Sequence, residues 1–283
     1  MAHRRPVSVE LIGRTVADLV DRASFEMPAG VEDLYAAMRD RENSGTARYA
    51  LGVLVDNAAI ARADRLPLCQ DCGVTIVFFD IGQDVSLEGD YLPDAVNRGV
   101  RDAYERLYLR KSVVGDPLVR KNTETNTPCF LHTEIVPGDR VGITVYLKGG
   151  GSENMSFLKM FRPTASVEEI IDHIASCVIE AGPNPCPPLF LGVGIGGTAD
   201  VALVNAKRAV LRGVGSRHAD PAYADIERRI LERLNATGVG PLGFGGASTA
   251  AAVYIKEAPT HIATLPVALN LNCHSLRYAE AVL

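Results

Sequence analysis

The densest chemistry in this 283-residue chain lies in Leu66-Pro67-Leu68-Cys69-Gln70-Asp71-Cys72-Gly73, where two thiols, an amide and a carboxylate stand side by side. The run Val74 to Phe79 that follows is β-branched and aromatic. This places the cluster at the mouth of a buried strand, where ligands are usually held. The plainer reading of Cys69 and Cys72 is as two small core residues, since unpaired cysteine is among the most buried types. Two further cysteines share the setting of Cys69. Cys186 is held between prolines in Asn184-Pro185-Cys186-Pro187-Pro188, ahead of an apolar strand, and Cys273 follows the strand that ends in Asn270-Leu271-Asn272. Junctions at neighbouring strand ends can converge although they are distant in sequence.

Three soft thiolates suit an iron–sulfur cluster or zinc far better than magnesium or calcium. Zinc would want a histidine as well, and His274 and His261 compete for that role. A [4Fe–4S] cluster held by only three cysteines leaves one iron open to a hydroxyl or carboxylate oxygen, which is the arrangement of a hydro-lyase and not of an electron carrier. Cys72, at Cys-x-x-Cys spacing, is the residue that would close that position or pair with Cys69 on oxidation.

Other polar stretches offer weaker signals. Gly149, Gly150 and Gly151 in Lys148-Gly149-Gly150-Gly151-Ser152-Glu153 are free to approach an anion through the backbone, so they read as a carboxylate or phosphate cradle or as a flexible loop. Arg120 to Pro128 is too polar for a core element and too varied for a linker, so it reads as an ordered functional loop. His173 and Cys177 lie four apart on a helix, but Cys177 shares its side with Ile170 and Ile174, which marks that face as core. Gly192, Gly194 and Gly197 satisfy Gly-x-Gly-x-x-Gly, yet no second strand with an acidic end follows, which speaks against a dinucleotide site.

The elements that position these residues follow from hydrophobic spacing. Val9, Ile12, Val16, Leu19 and Val20 recur at three and four behind a Ser8 cap, and helices over Val31 to Arg41 and Thr46 to Asp64 come next, so three helices are expected before any strand. Pro93 opens a helix to about Leu109, and the plain reading of Arg110 just beyond is a helix C-cap. Phe130 to Val136 and Val141 to Leu147 read as a hairpin joined by Pro137-Gly138-Asp139-Arg140. Ser166 and Glu169 form a capping box, Asp200 to Leu211 and Pro221 to Leu234 read as helices, and Leu189 to Val193, Ala250 to Ile255 and a final run ending in Asn270-Leu271-Asn272-Cys273-His274-Ser275 read as strands. The expected fold is mixed α/β (α+β), a helical N-terminal layer on a mixed sheet. No composition break or repeat divides residues 1–283, which read as one domain.

Composition sets outer limits. Hydrophobic residues make up 47% and charged residues 22%, there is no tryptophan, the net charge is −5 and the pI about 5.7, which argues against a nucleic-acid surface. The basic start Met1 to Pro6 is followed by a segment broken by Glu10, Arg14 and Asp18, so no signal-peptide core is expected, and no apolar run approaches the roughly 18 residues of a membrane span. A reducing cytoplasm is the expected compartment, where six cysteines are better explained by metal or catalysis than by disulfides.

Against that background the chain resembles the α subunit, or N-terminal half, of the iron–sulfur hydro-lyases comprising class I fumarate hydratase and L(+)-tartrate dehydratase. The likeness is carried by Pro67-Leu68-Cys69-Gln70-Asp71-Cys72-Gly73, Arg120-Lys121-Asn122-Thr123, Gly149-Gly150-Gly151-Ser152-Glu153-Asn154, Cys186-Pro187-Pro188, Gly194-Ile195-Gly196-Gly197-Thr198 and Asn272-Cys273-His274. The resemblance implies a [4Fe–4S] cluster on Cys69, Cys186 and Cys273. It also implies a small dicarboxylate met by Gln70, Asp71, Arg110 and Gly149 to Gly151, with His261 nearby, and Asp71 and His261 as the catalytic pair. His261 as a buried structural histidine is the plainer alternative. The family carries threonine where this chain has Cys72, which keeps a non-catalytic centre with four thiolates in view. The Gly-Gly-Gly-Ser-Glu-Asn-Met-Ser stretch resembles fumarase-type α chains more than tartrate dehydratases, which favours reversible hydration of fumarate to malate over dehydration of L(+)-tartrate. A separate β subunit would supply the remaining half of the site, in a dimer of α–β pairs.

Overall fold

The computed structural model describes residues 4–283, so Met1 to His3 of the basic start lie outside the described residues. In chain order the elements are β1 (Arg5–Ser8), α1 (Val9–Phe25), α2 (Val31–Arg41), α3 (Gly45–Asp64), β2 (Val74–Gly82), β3 (Val85–Glu88), α4 (Leu92–Arg106), β4 (Phe130–Val136) and β5 (Val141–Lys148). They continue with α5 (Gly150–Glu153), β6 (Phe157–Phe161), α6 (Val167–Ala181), β7 (Leu189–Gly196), α7 (Ala199–Ala209), α8 (Pro221–Asn235), β8 (Ala250–Ala258), β9 (Leu265–Asn272) and β10 (Tyr278–Val282). These form two compact units. One takes Met1–Pro28, Ile60–Gly150 and Arg277–Leu283, and the other Ala29–Ala59 and Gly151–Leu276.

The first unit is built on a sheet of order β10-β5-β2-β4, mixed because β2 runs parallel to β4 and antiparallel to β5. Helix α1, capped by the Ser8 hydroxyl, turns Ile12, Val16, Leu19 and Val20 inward, and with α4 it covers this sheet. The helical layer on a mixed sheet is thus present. Helices α1 and α4 touch backbone to backbone: a Cβ on Gly99 would stand 2.1 Å from the Gly13 carbonyl oxygen.

Two expectations are corrected here. A strand precedes the first helix, since β1 pairs in parallel with β3; its four residues bury only Val7, too short a pattern to show a period. The strands β4 and β5 do not form a hairpin. Strand β2 is buried on both faces and therefore needs a neighbour on each edge, so it inserts between them. Their Pro137–Arg140 link arches over the end of β2, where Gly82 N–H donates to the Arg140 carbonyl at 2.8 Å.

The second unit is built on a sheet of order β6-β9-β7-β8, with β7 parallel to β8 and antiparallel to β9. Ile170 and Ile174 of α6, Ile230 and Leu234 of α8 and Leu191 and Val193 of β7 share its core. The opposite face of β7 receives α7. The capping box of Ser166 and Glu169 is formed as expected. Cys177 is buried and its sulfur lies 3.5 Å from His173 Nε2, while the His173 ring meets Phe161 edge-on, which makes this pair part of the packing. Strand β9 is not the final strand. Strands β3, β6 and β10 were not legible, being four or five residues long with mostly exposed or mixed side chains.

The glycines of Gly-x-Gly-x-x-Gly lie largely within β7. A Cβ on Gly192 or Gly194 would fall 1.9 Å from the carbonyl oxygens of Ala206 and Ala202, so these positions let α7 lie flat on the strand. Helix packing accounts for the pattern.

Candidate active site

In the first unit, Cys69 to Gly73 form the turn between the end of α3 and β2, and the turn is fixed by side chains that reach it from elsewhere. Gly73 has φ +78° and its Cβ position lies 2.7 Å from the Lys148 carbonyl group, so only glycine fits there. Its carbonyl accepts from the buried Tyr104 hydroxyl at 3.1 Å and from Asn126 Nδ2 at 3.1 Å. Asn126 belongs to the polar loop expected to be ordered, is fully buried, and also accepts from Ser112 N–H at 2.7 Å. The Arg277 guanidinium, 2% exposed, donates to the Asp71 carbonyl at 2.7 Å.

The Asp71 carboxylate sits in the glycine loop. Gly73 N–H donates to Oδ1 at 3.0 Å and Gly150 N–H to Oδ2 at 2.8 Å, while the Cβ position of Gly149 is 3.2 Å from Oδ2 and 3.4 Å from Arg277 Nη2. An anion does occupy the backbone cradle, and it is the side chain of the chain's own Asp71. Cys69 is partly exposed and its thiol donates to Gln70 Oε1 at 3.2 Å; Gln70 itself is exposed. Helix α4 ends at Arg106, so Arg110 is not its C-cap. Arg110 lies beyond the helix with its side chain exposed, and its backbone N–H donates to Cys72 Sγ at 3.2 Å.

In the second unit, β7 begins beside the end of β9, with Phe190 opposite Asn272. The turn that leads into the first strand and the turn that leaves the second therefore share a corner, and these turns carry Cys186 and Cys273. His274 N–H donates to the Cys186 carbonyl at 3.0 Å, tying the two turns together. Cys186 is exposed with φ +55°, a left-handed conformation that a non-glycine residue seldom adopts, held here between Pro185 and Pro187. Cys273 is partly exposed, Asn272 Nδ2 donates to its carbonyl at 2.8 Å, and the buried Tyr35 hydroxyl donates to the His274 carbonyl. Burial, and then the neighbouring Cys273, push the Tyr35 phenol well above its ordinary range, so it stays a donor. Gly151 lies in this unit, its Cβ position 3.3 Å from the Asn184 carbonyl oxygen.

His261 is exposed, not buried. It stands on the loop between β8 and β9, where its Nδ1 accepts from Ala263 N–H at 3.1 Å, and it lines a depression of about 610 Å³ with Gly197, Thr198, Met160 and Thr260. Neither Cys186 nor Cys273 lines that depression.

The remaining thiols differ in kind. Cys72, Cys129 and Cys177 are buried. Burial pushes the Cys72 thiol up and carries Cys129 to about 11, while burial and the Glu180 carboxylate raise Cys177. Cys72 is also engaged at both ends, accepting from Arg110 N–H and lying 3.9 Å from the Cys69 carbonyl. The thiols not buried are Cys69 in the first unit and Cys186 and Cys273 in the second, each a soft donor of the kind that iron–sulfur clusters take. Among the described residues no three His, Cys, Asp or Glu side chains are already gathered around a metal position.

Sequence reasoning passed over Tyr104 and Arg277 and reached Asn126 only as one member of the Arg120–Pro128 loop. The signal for Arg277 was a lone arginine in the apolar stretch Leu276 to Ala279, since a buried guanidinium must have a partner.

The chain is similar to known proteins along almost its whole length. A protein of Methanocaldococcus jannaschii named "Putative L(+)-tartrate dehydratase subunit alpha" is 39% identical over 274 residues, which cover 95% of this chain and 96% of that protein. The L(+)-tartrate dehydratase subunit alpha of Escherichia coli strain UTI89 is 31% identical over 274 residues, covering 95% of this chain and 90% of its own, and that of strain K12 is 30% identical over 273 residues. The family model for fumarate hydratase (Fumerase) matches residues 13–282, a span that takes in the Cys69 turn, the glycine loop and the Cys186–Cys273 corner, and the chain belongs to that family.

Proposed function

We propose that this chain is the α subunit of a cytoplasmic two-subunit hydro-lyase that hydrates fumarate to (S)-malate reversibly. Residues 1–283 act in it as one hydro-lyase α-type domain, and Cys69, Cys186 and Cys273 hold a [4Fe–4S] cluster. The observation that supports the proposal is the corner where His274 N–H meets the Cys186 carbonyl at 3.0 Å, because it ties the turn of Cys186 to that of Cys273, far away in the sequence. When bound, such a cluster supplies one iron without a protein ligand, a Lewis acid for a hydroxyl oxygen.

The chain's own residues do the rest. The exposed guanidinium of Arg110 offers a planar fork to one substrate carboxylate, and the exposed amide of Gln70 grips the second carboxylate or the hydroxyl. Asp71 acts from a fixed place. Its carboxylate holds Gly150 N–H, and its carbonyl is held by Arg277, so Gln70 beside it is presented in one orientation. His261, exposed at the mouth of its depression, is the histidine available to meet a dicarboxylate. A β subunit supplies the other half of the site, as the "subunit alpha" names of the relatives suggest, and two α–β pairs form a dimer.

A second reading is dehydration of L(+)-tartrate, favoured by the names of those relatives. The test is anaerobic reconstitution of the α chain with its β subunit, followed by iron and sulfide analysis, Mössbauer spectra with and without malate, and turnover of fumarate and L(+)-tartrate. The expected result is a [4Fe–4S] centre with one iron perturbed by malate, turnover of fumarate in the complex, and almost none in the α chain alone. A centre untouched by malate and by tartrate overturns the reading, and turnover of tartrate alone replaces fumarate as the substrate.

A further inference from the structure

Strand β4 is an edge of the first unit's sheet, and among the described residues nothing pairs with its outer side. Natural edges are usually blunted by lysine, proline or a bulge. Strand β4, Phe-Leu-His-Thr-Glu-Ile-Val, has none of these and keeps an unbroken register with β2. It also exposes Phe130 at 51% and Ile135 at 62%.

The direction of its hydrogen-bonding groups can be assigned. Gln83 N–H donates to the Val136 carbonyl at 2.7 Å, so Val136 faces β2. Because successive residues of a strand alternate, Phe130, His132 and Glu134 face β2 as well, and the N–H and C=O groups of Leu131, Thr133 and Ile135 point outward.

We propose that this edge is the docking surface for a second copy of the chain, whose β4 lies antiparallel on it about a two-fold axis through Thr133. In that register the three outward residues meet as Leu131–Ile135′, Thr133–Thr133′ and Ile135–Leu131′, each pair exchanging two main-chain bonds. The intervening pair sets the His132 imidazole opposite the Glu134′ carboxylate, and the exposed Phe130 comes against Val136′. The strand is complementary to itself, as an isologous contact requires. The register with its axis through Glu134 is disfavoured by charge, since it sets carboxylate against carboxylate. The proposal deepens the dimer of α–β pairs put forward above by naming its surface, and it makes no use of the site chemistry.

The test uses the full chain. Thr133→Cys places two sulfurs across the axis at a Cα separation of about 5.5 Å, within disulfide reach. Ile135→Cys puts them about 13 Å apart along the strands, out of reach. Mild oxidation is expected to give a disulfide between the two introduced thiols of the first variant, identified by peptide mass spectrometry, and none between those of the second. By sedimentation velocity, His132→Glu is expected to raise the dimer dissociation constant about tenfold, and the pair His132→Glu with Glu134→Lys to restore it. Circular dichroism confirms that each variant is folded. A monomer at all concentrations, a dimer indifferent to His132→Glu, or a Thr133→Cys thiol that links elsewhere overturns the proposal. Failure of the hydro-lyase reading would show instead in the iron spectra and turnover, which these experiments do not consult.

Discussion

At the scale of single residues, burial sorts the six thiols into two groups, and the sorting can be tested. Cys72 is enclosed, raised by desolvation and engaged with Arg110 N–H, so Cys72→Ser should keep its full complement of iron and cost about 1 kcal/mol of stability, whereas Cys186→Ser should lose the iron signal. Metal analysis of anaerobically reconstituted variants reads both. Glu42 gives a second test. Its carboxylate is 2% exposed and accepts from Ser248 Oγ at 2.7 Å and from the N–H groups of Ala247, Ser44 and Asn43. Burial alone would raise its pKa, but these bonds outweigh burial and hold it below the ordinary carboxylate range. Its contribution is therefore complete above the unfolded-state value near ~4.3 and is lost as pH falls through the lower folded value. Glu42→Gln should cost about 1–3 kcal/mol at pH 7 in urea denaturation, and the gap from wild type should close in acid. The junction positions of Cys69, Cys186 and Cys273 were legible because proline and polar neighbours advertise a junction. The roles of Tyr104, Asn126 and Arg277 were not, because a side chain that serves a distant turn leaves no local pattern at its own position.

At the scale of elements, helix periods and caps were legible, and strand partners were not. Strand β2 showed itself as a continuous apolar run, but nothing in such a run says which strands flank it, so the short Pro137–Arg140 link suggested a hairpin. The glycines of β7 show the same limit: their spacing fits a nucleotide fingerprint, and only the packing of α7 reveals their use. Gly194→Ala should therefore cost about 1–3 kcal/mol or more, with no effect on dinucleotide affinity to report, because its methyl would meet the Ala202 carbonyl at 1.9 Å. Gly52→Ala, in the middle of α3 with nothing outside the helix nearer than Arg39 Cδ at 4.0 Å, should instead stabilise by about 0.5–1 kcal/mol. Thermal unfolding of the two variants side by side separates these outcomes.

At the scale of the whole molecule, the two compact units leave no mark in composition, for a physical reason. Of the four crossings between the units, one falls within α3, between Ala59 and Ile60, and one within α5, between Gly150 and Gly151, while those after Pro28 and after Leu276 fall in short connections between elements. A boundary inside a helix carries no linker, so no proline-rich or serine-rich stretch announces it. The final seven residues have a consequence of their own. Strand β10 completes the first unit's sheet by pairing with β5, and Arg277 just ahead of it grips the Asp71 turn. On the ribosome, where the chain emerges amino end first, every segment of the second unit is out before these residues appear, and β5 waits with an open edge until they do. A premature stop at codon 277 would thus cut away no mere tail: it would strip a strand and a clamp from the part of the protein that was synthesised first.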